Sequence, residues 1–325
     1  MESRKIDLVY TWVNGNDTEW KKKKIQLQKQ LNCCSNVESE SILDCRFTDN
    51  DELKYSLRSV EKYIPWINHI FIVTDNQKPD WLNTNHPKLT IIDHKEIIPK
   101  DCLPTFNSVA IENCICNIKN LSEYFLYACD DMYFVNFATP DFFYTKNNYP
   151  ICRFRYLRKN PKKTQFNTLI YNARKMVENK YNKKFEYNPH HCIDAYRKSD
   201  FMEFQKVFKK EVDEVIHSQF RNSNSFERTA YLFYACAINH GRAKLVKKID
   251  LDLPFTKRII NYLMKKYAKD SIYFSNKNSH IKDSLKKYNP TLICINDCEK
   301  STTQDKENIK NILEQLFPDK SSFEL

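Results

Sequence analysis

Two adjacent carboxylates, Asp130-Asp131, close an apolar run, Tyr124-Phe-Leu-Tyr-Ala-Cys129. At a strand end they repel one another, so one carboxyl is held protonated or a cation compensates the pair. Hard oxygen ligands of this kind suit Mg²⁺ or Mn²⁺, whose shells are completed by water and substrate phosphates. The plainer alternative is a pair of turn residues, one capping the next segment and one solvated. His190-His191, after Pro189, offer a general base or a phosphate donor near neutral pH. Adjacent histidines on a loop are also commonly just exposed. Arg221, in Phe220-Arg221-Asn222-Ser223, carries the planar fork that grips a phosphate with two parallel hydrogen bonds. Arg58, in Tyr55-Ser-Leu-Arg58-Ser, reads on its own as a surface cation on a helix.

These residues need elements to hold them. Residues 6–13 are an apolar run rich in strand formers, ending at Asn14-Gly15-Asn16-Asp17. In that turn cluster Asp17 can cap the Lys-rich helix that follows. A second helix starts after Asp49-Asn50 and stops at Pro65. It has Asp51-Glu52 in its first turn, where the dipole favours negative charge, and Leu53, Leu57 and Val60 on one face. Runs at 69–75, 89–92 and 124–129 are further strands, the last preceded by a helix over about 107–119. Uninterrupted apolar strands alternating with amphipathic helices predict a mostly parallel α/β sheet, whose ligands bind beyond the carboxyl ends of the strands. All four strands end in polar residues at that edge, and a site is expected there.

Residues 160–185 read as a basic surface excursion, and 196–216 and 226–239 as helices. Beyond about 245 come a basic helix (256–268), a polar linker, a short strand (291–295) and a final helix after Asp305. The expected division is a catalytic domain over 1–245 and a mainly helical segment, 246–325, packed on it.

Composition narrows the chemistry. At 325 residues, 41% hydrophobic and 14% aromatic, the chain can bury a sizeable core. Fifty-two Lys and Arg against 41 Asp and Glu give +11, which suits a phosphate-bearing ligand, an anionic membrane surface or nucleic acid. Gly15 and Gly241 are the only glycines, so neither a P-loop nor a dinucleotide fingerprint can be built. The twelve cysteines include no CxxC pair and read as reduced thiols of a cytoplasmic protein. No run reaches the roughly 18 apolar residues of a membrane span, and Met1-Glu-Ser-Arg-Lys5 has no signal-peptide pattern. The expectation is a protein neither secreted nor membrane-spanning.

Longer motifs follow one another in a set order. The first is Ile6-Asp-Leu-Val-Tyr-Thr-Trp-Val-Asn-Gly15. The second is Arg46-Phe-Thr-Asp-Asn-Asp-Glu-Leu-Lys-Tyr-Ser-Leu-Arg-Ser59, continuing through Pro65-Trp66, Ile70-Phe-Ile-Val-Thr74 and Pro79-Asp-Trp-Leu82 to His94. The third joins Phe106-Asn-Ser-Val-Ala-Ile-Glu112 to Asp130-Asp-Met132, and the fourth runs from Pro189-His190 through Asp194 to Arg221-Asn-Ser223. Cys294-Ile-Asn-Asp297 and Phe317-Pro-Asp-Lys-Ser-Ser-Phe-Glu324 close the chain. Together these resemble the Stealth family of sugar-phosphate transferases, which includes microbial capsular polysaccharide phosphotransferases and the catalytic subunit of the lysosomal-enzyme N-acetylglucosamine-1-phosphotransferase.

The resemblance implies a Rossmann-like, glycosyltransferase-A-like sheet with a helical C-terminal extension. It also implies transfer of an intact hexose or N-acetylhexosamine 1-phosphate from a nucleotide sugar such as UDP-GlcNAc to a glycan hydroxyl, making a phosphodiester. By that likeness Asp130 and Asp131 would hold Mg²⁺ or Mn²⁺. Ser108 and Glu112 would shape the pocket, and Trp12, Asn14 and Asp17 would face the nucleotide. His190 or His191 would be the base, and Arg221 would neutralise the phosphoryl group. Arg58 and Asn296 join the substrate-binding set. A cytoplasmic enzyme at the inner face of the membrane, peripheral to a polysaccharide-export assembly, is the implied setting. A metal-dependent glycosyltransferase is the nearest rival; it would release a nucleoside diphosphate instead of a monophosphate. Nucleic-acid binding predicts basic and aromatic residues clustered on one face, whereas here acidic residues gather at strand ends.

Overall fold

The computed structural model describes residues 4–32, 39–156, 164–238, 241–247, 256 and 270–325. The chain opens with β1 (Ile6–Thr11), α1 (Thr18–Asn32), α2 (Glu52–Tyr63), β2 (Ile70–Thr74), β3 (Leu89–Asp93), α3 (His94–Ile97) and α4 (Ser108–Cys114). It continues with β4 (Tyr124–Cys129), β5 (Met132–Phe134), α5 (Pro140–Phe143), β6 (Ile151–Tyr156), α6 (Gln165–Tyr181), β7 (Tyr187–Pro189) and β8 (Asp194–Arg197). Then come α7 (Lys198–Val207), α8 (Lys209–Ile216), α9 (Thr229–Ala237), β9 (Lys244–Lys247), β10 (Ser271–Ser275), α10 (Ile281–Tyr288), β11 (Leu292–Asn296) and α11 (Thr303–Leu316).

The main sheet has the order β3-β2-β1-β4-β8, parallel except for β8. Thr11 lies in register with both Val73 and Cys129, so the parallel strands end along one edge. Side chains alternate between the two faces with the period of a strand. Val9, Phe71, Val73, Phe125 and Tyr127 enter one core with residues of α4, α6, α7 and α9. Leu8, Tyr10, Ile70, Ile72, Leu126 and Ala128 enter a second core with Leu53, Leu57 and Val60 of α2. With both faces covered, the α/β reading holds, and the strands read as continuous apolar runs for that reason.

Two smaller sheets complete the architecture, β10-β11-β5 and β7-β6-β9. β4 ends at Cys129 and β5 begins at Met132, so Asp130 and Asp131 are the whole connection from the main sheet to the β10-β11-β5 sheet. Because β5 pairs with β11, Cys294 lies opposite Met132 and the end of β11 arrives beside the two aspartates. At the β1 end, the Gly15 N–H donates to the Phe47 carbonyl at 2.6 Å, and a β-carbon on Gly15 would meet that oxygen at 2.4 Å. Only glycine permits this approach, which presses the 44–48 segment against the first strand end.

Two expectations need correction. Residues 160–185 are not a surface excursion: from Gln165 to Tyr181 they form α6, with Leu169, Ile170, Ala173 and Val177 buried in the first core. Its apolar positions recur at helical spacing between basic residues, and packing against α9 decides the outcome. Besides the helices α10 and α11, the C-terminal segment carries two strands, β10 and β11, which bind it into a sheet with β5. Finally, β10 falls in the expected linker. The basic helix expected over 256–268 lies outside the described residues except for Thr256. No helix among the described residues is long and apolar enough to cross a membrane.

Candidate active site

The first group of side chains is acidic. Asp131 Oδ2 accepts from Asn296 Nδ2 at 2.9 Å and from the Cys294 thiol at 3.4 Å. Its other oxygen, Oδ1, is buried and finds no hydrogen-bond partner among the described residues. Burial pushes the Asp130 carboxyl well above the usual range, and the neighbouring Glu52, Asp131 and Asp49 push it further. Burial also raises Glu52 to about 7, opposed by the side-chain and backbone amides of Asn50. Asp49 is raised by burial, and the Trp12 indole leans toward it without closing a hydrogen bond. Between them Asp51 adopts a left-handed conformation (φ 66°), with its N–H on Asp49 Oδ1 at 3.2 Å. That turn brings Asp49 and Glu52 to the strand edge at the start of α2, at a conformational cost of about 1 kcal/mol.

The second group is basic. Burial pushes the Arg46 guanidinium down to about 10, and Arg221 beside it adds like-charge repulsion. Arg221 Nη2 donates to Ser108 Oγ at the start of α4. Arg228 is fully enclosed at the start of the apolar helix α9. It pairs with Glu227 at 2.6 Å, Glu112 at 3.6 Å and Asp194 at 3.7 Å, and lies 4.6 Å from the centre of the Tyr127 ring. Burial raises both Glu112 and Asp194 to about 7 while Arg228 opposes the shift. Tyr127 links this cluster to β1, donating to Glu112 Oε1 (3.2 Å) and bonding Thr11 Oγ1 (2.7 Å).

His191 stands where the two groups meet. One ring nitrogen, an Asp131 carboxylate oxygen and the Cys294 sulfur all lie within 4.8 Å of one another. Burial lowers its pKa to about 3, with Arg228, Arg155 and Arg221 adding to the shift, so the imidazole is neutral at pH 7.

A divalent cation fits these residues. Mutually repelling buried carboxyls and the orphaned Asp131 oxygen are the signature of a negative site that lacks its counter-charge. Asp130 and Asp131 would be its ligands. The Cys294 thiol is pushed well up by burial and donates to Asp131, so a hard, oxygen-bound ion suits the pocket better than a thiolate-bound one.

Residues 46–152 match conserved region 2 of the Stealth proteins and residues 4–31 match conserved region 1. The capsular polysaccharide phosphotransferase WcwK of Streptococcus pneumoniae is 31% identical over 355 aligned positions covering 98% of both chains. The chain belongs to the Stealth family. The exopolysaccharide phosphotransferase SCO6023 of Streptomyces coelicolor is 34% identical over 73% of this chain, which spans 41% of that longer protein's length. Among solved structures, the galactosyltransferase LgtC in complex with donor and acceptor sugar analogues overlaps 95% of each chain at 9% identity and a TM-score of 0.42.

Set against the residues singled out by the Stealth resemblance, the geometry divides them. Asp130, Asp131, Trp12, Ser108, Glu112, His191, Arg221 and Asn296 converge on the two groups described above. Four others are engaged elsewhere. His190 Nδ1 meets Ser271 Oγ at 3.1 Å, and its N–H donates to the Arg153 carbonyl at 2.8 Å, fastening β10 to the β6 sheet. The Arg58 fork closes on Glu324 at 2.8 and 2.7 Å and on the Phe317 carbonyl at 2.9 Å, so it ties down the C-terminal strap. Asn14 is clamped by Gln77, and Asp17 caps α1 through the Trp20 N–H at 2.7 Å. Sequence reasoning passed over Arg46, Asp49 and Glu52, although all three stand in the long Stealth block. It missed Glu227-Arg228 entirely. A charged pair heading Thr229-Ala-Tyr-Leu-Phe-Tyr-Ala-Cys-Ala237, a helix apolar all round, was the available signal, since such a helix is buried with whatever begins it.

Proposed function

We propose that the chain transfers a sugar 1-phosphate from a nucleotide sugar to a hydroxyl of a growing polysaccharide. The observation that carries this reading is the place of His191, beside the Asp131 carboxylate on one side and within the field of Arg221 and Arg228 on the other, so that crowded carboxyls and guanidinium groups share one site. A sugar-nucleotide diphosphate presents the complementary charge pattern, and the names of its Stealth relatives support the phosphotransferase class. A divalent ion held by Asp130 and Asp131 would supply charge neutralisation at the donor diphosphate. Arg221, aimed by Ser108, binds the oxygens of the phosphoryl group that moves, where its fork counts most in the transition state. His191, neutral at pH 7, takes the proton of the acceptor hydroxyl as that oxygen bonds to the β-phosphorus. The bond from the β-phosphorus to the bridging oxygen breaks, and a nucleoside monophosphate departs with the electron pair. Donor anion facing the arginines also offsets the positive field that adds to burial in keeping His191 a weak base. The reaction belongs on the cytoplasmic side of a membrane, beside a polysaccharide-export assembly.

The deciding experiment incubates the protein with a panel of nucleotide sugars, Mg²⁺ and glycan acceptors, and identifies the released nucleotide by mass. Nucleoside monophosphate is expected. Nucleoside diphosphate as the main product overturns the reading in favour of glycosyl transfer.

A further inference from the structure

A second group of ligating atoms lies away from the carboxylate edge, where the turn at 100–102 meets the end of α8. His217 Nε2 is 3.4 Å from Asp101 Oδ2, and the Cys102 thiol faces Asp101 Oδ1 at 3.9 Å. One ligand atom from each residue falls within 4.8 Å of the other two. The other imidazole nitrogen, Nδ1, is 2.7 Å from the Asp213 carbonyl oxygen, which can only accept a hydrogen bond. That contact places one proton on Nδ1 and turns Nε2 toward Asp101 and Cys102, where an arriving ion would take the place of the second proton that Asp101 favours. Fixing a ring through a carbonyl behind it is how metal-binding imidazoles are ordinarily oriented. Cys102 is buried while Asp101 and His217 are exposed, so the group is open on one side to an arriving ion and a water.

We propose that Asp101, Cys102 and His217 form a binding site for a borderline-soft divalent cation, Zn²⁺ being the natural occupant. One nitrogen, one sulfur and one oxygen ligand with a fourth position open to water match zinc chemistry, whereas Mg²⁺ and Ca²⁺ take oxygen alone. Binding displaces the Cys102 proton to solvent, so affinity rises with pH. The consequence reaches the active edge through two short stretches of chain. Beyond His217, the Ser218 carbonyl accepts from Asn107 Nδ2 (2.7 Å), the Gln219 carbonyl accepts from the Phe106 N–H (2.8 Å), and Phe220 stacks on Phe106. The next residue is Arg221, on Ser108. A zinc ion therefore staples together the two strands of chain that aim Arg221.

Cobalt and zinc titrations of metal-stripped, full-length protein test the site. Co²⁺ is expected to give a sulfur-to-metal charge-transfer band that is absent in C102S and retained in C294S, which separates this site from the Asp131 pocket. Zn²⁺ affinity is expected to fall about tenfold or more in H217A. Zinc should raise the thermal midpoint of the wild type but not of H217A, which folds normally because His217 is exposed. A band retained in C102S, a band lost in C294S, or equal zinc affinity in wild type and H217A overturns the proposal.

Discussion

At the scale of single residues, the Asp130-Asp131 connection is where carboxyls crowd most closely, with Glu52 and Asp49 beside them. Asp130→Asn and Asp131→Asn are each expected to abolish nearly all turnover. Asp131→Asn should also weaken divalent-cation binding, measured by calorimetry with Mn²⁺. Turnover unaffected by excess EDTA would remove the cation from the scheme. The two histidines separate cleanly in their surroundings. His191→Ala is expected to lower turnover about 10²–10⁴-fold, the range of general acid–base catalysis, with donor affinity nearly unchanged. His190→Ala, which loses a contact to Ser271 instead, should affect thermal stability more than turnover. The reverse ranking in single-turnover kinetics would return the base role to His190. Arg221→Lys keeps the charge and loses the fork, so turnover should fall more than donor affinity. Equal losses in both would mean that Arg221 binds the ground state alone.

At the scale of elements, the close approach of Gly15 to Phe47 sets where Arg46, Asp49 and Glu52 can stand. Gly15→Ala is expected to destabilise the fold by about 1–3 kcal/mol, as overpacking does. In the native fraction it should cut activity further, because the 44–48 segment must retreat from the β1 end. A denaturation midpoint measured beside specific activity separates the two effects. The parallel strands and α2 are legible in the sequence because each buries an uninterrupted or one-faced apolar set, and no competing pattern overlies them. The short strands β6, β7, β9 and β10 are not. β6 and β9 mix charged with apolar residues, β7 is only three residues long and β10 is bounded by serines, and the register of all four is imposed by neighbours distant in sequence. Turn punctuation is muted as well. Asn76, Asn120, Asn148, Asn182 and Asn289 occupy the left-handed region that glycine usually marks, so an Asn-rich chain hides its own corners. The aspartate pair was legible by adjacency. Of its companions, Asn296 was reached only through the Stealth resemblance, since it joins Asp131 across 165 positions, and Arg228 was missed because it is defined only by the burial of α9.

At the scale of the whole molecule, Arg58 and Glu324 fasten the last residues to α2, helped by the Leu82–Glu324 bridge. Burial alone would raise the Glu324 carboxyl, but Arg58 and Ser321 more than offset it and hold the group below its ordinary value. A carboxyl whose folded pKa is depressed adds stability that is present above its unfolded pKa and lost as pH falls through the folded one. Glu324→Gln is therefore expected to cost about 2 kcal/mol at pH 7 and progressively less as the pH drops below about 4. Urea midpoints of both proteins across that range check it, and a difference constant with pH would refute the linkage. The pairing of β5 with β11 carries a temporal consequence. Ribosomes deliver Asp130 and Asp131 early, yet Cys294 and Asn296 belong to the last tenth of the 325 residues. A nascent chain that has already emerged with its main sheet still lacks the groups that hold Asp131 in place. Synthesis interrupted anywhere before β11 is expected to leave Asp131 without either hydrogen bond, and so without the site proposed above.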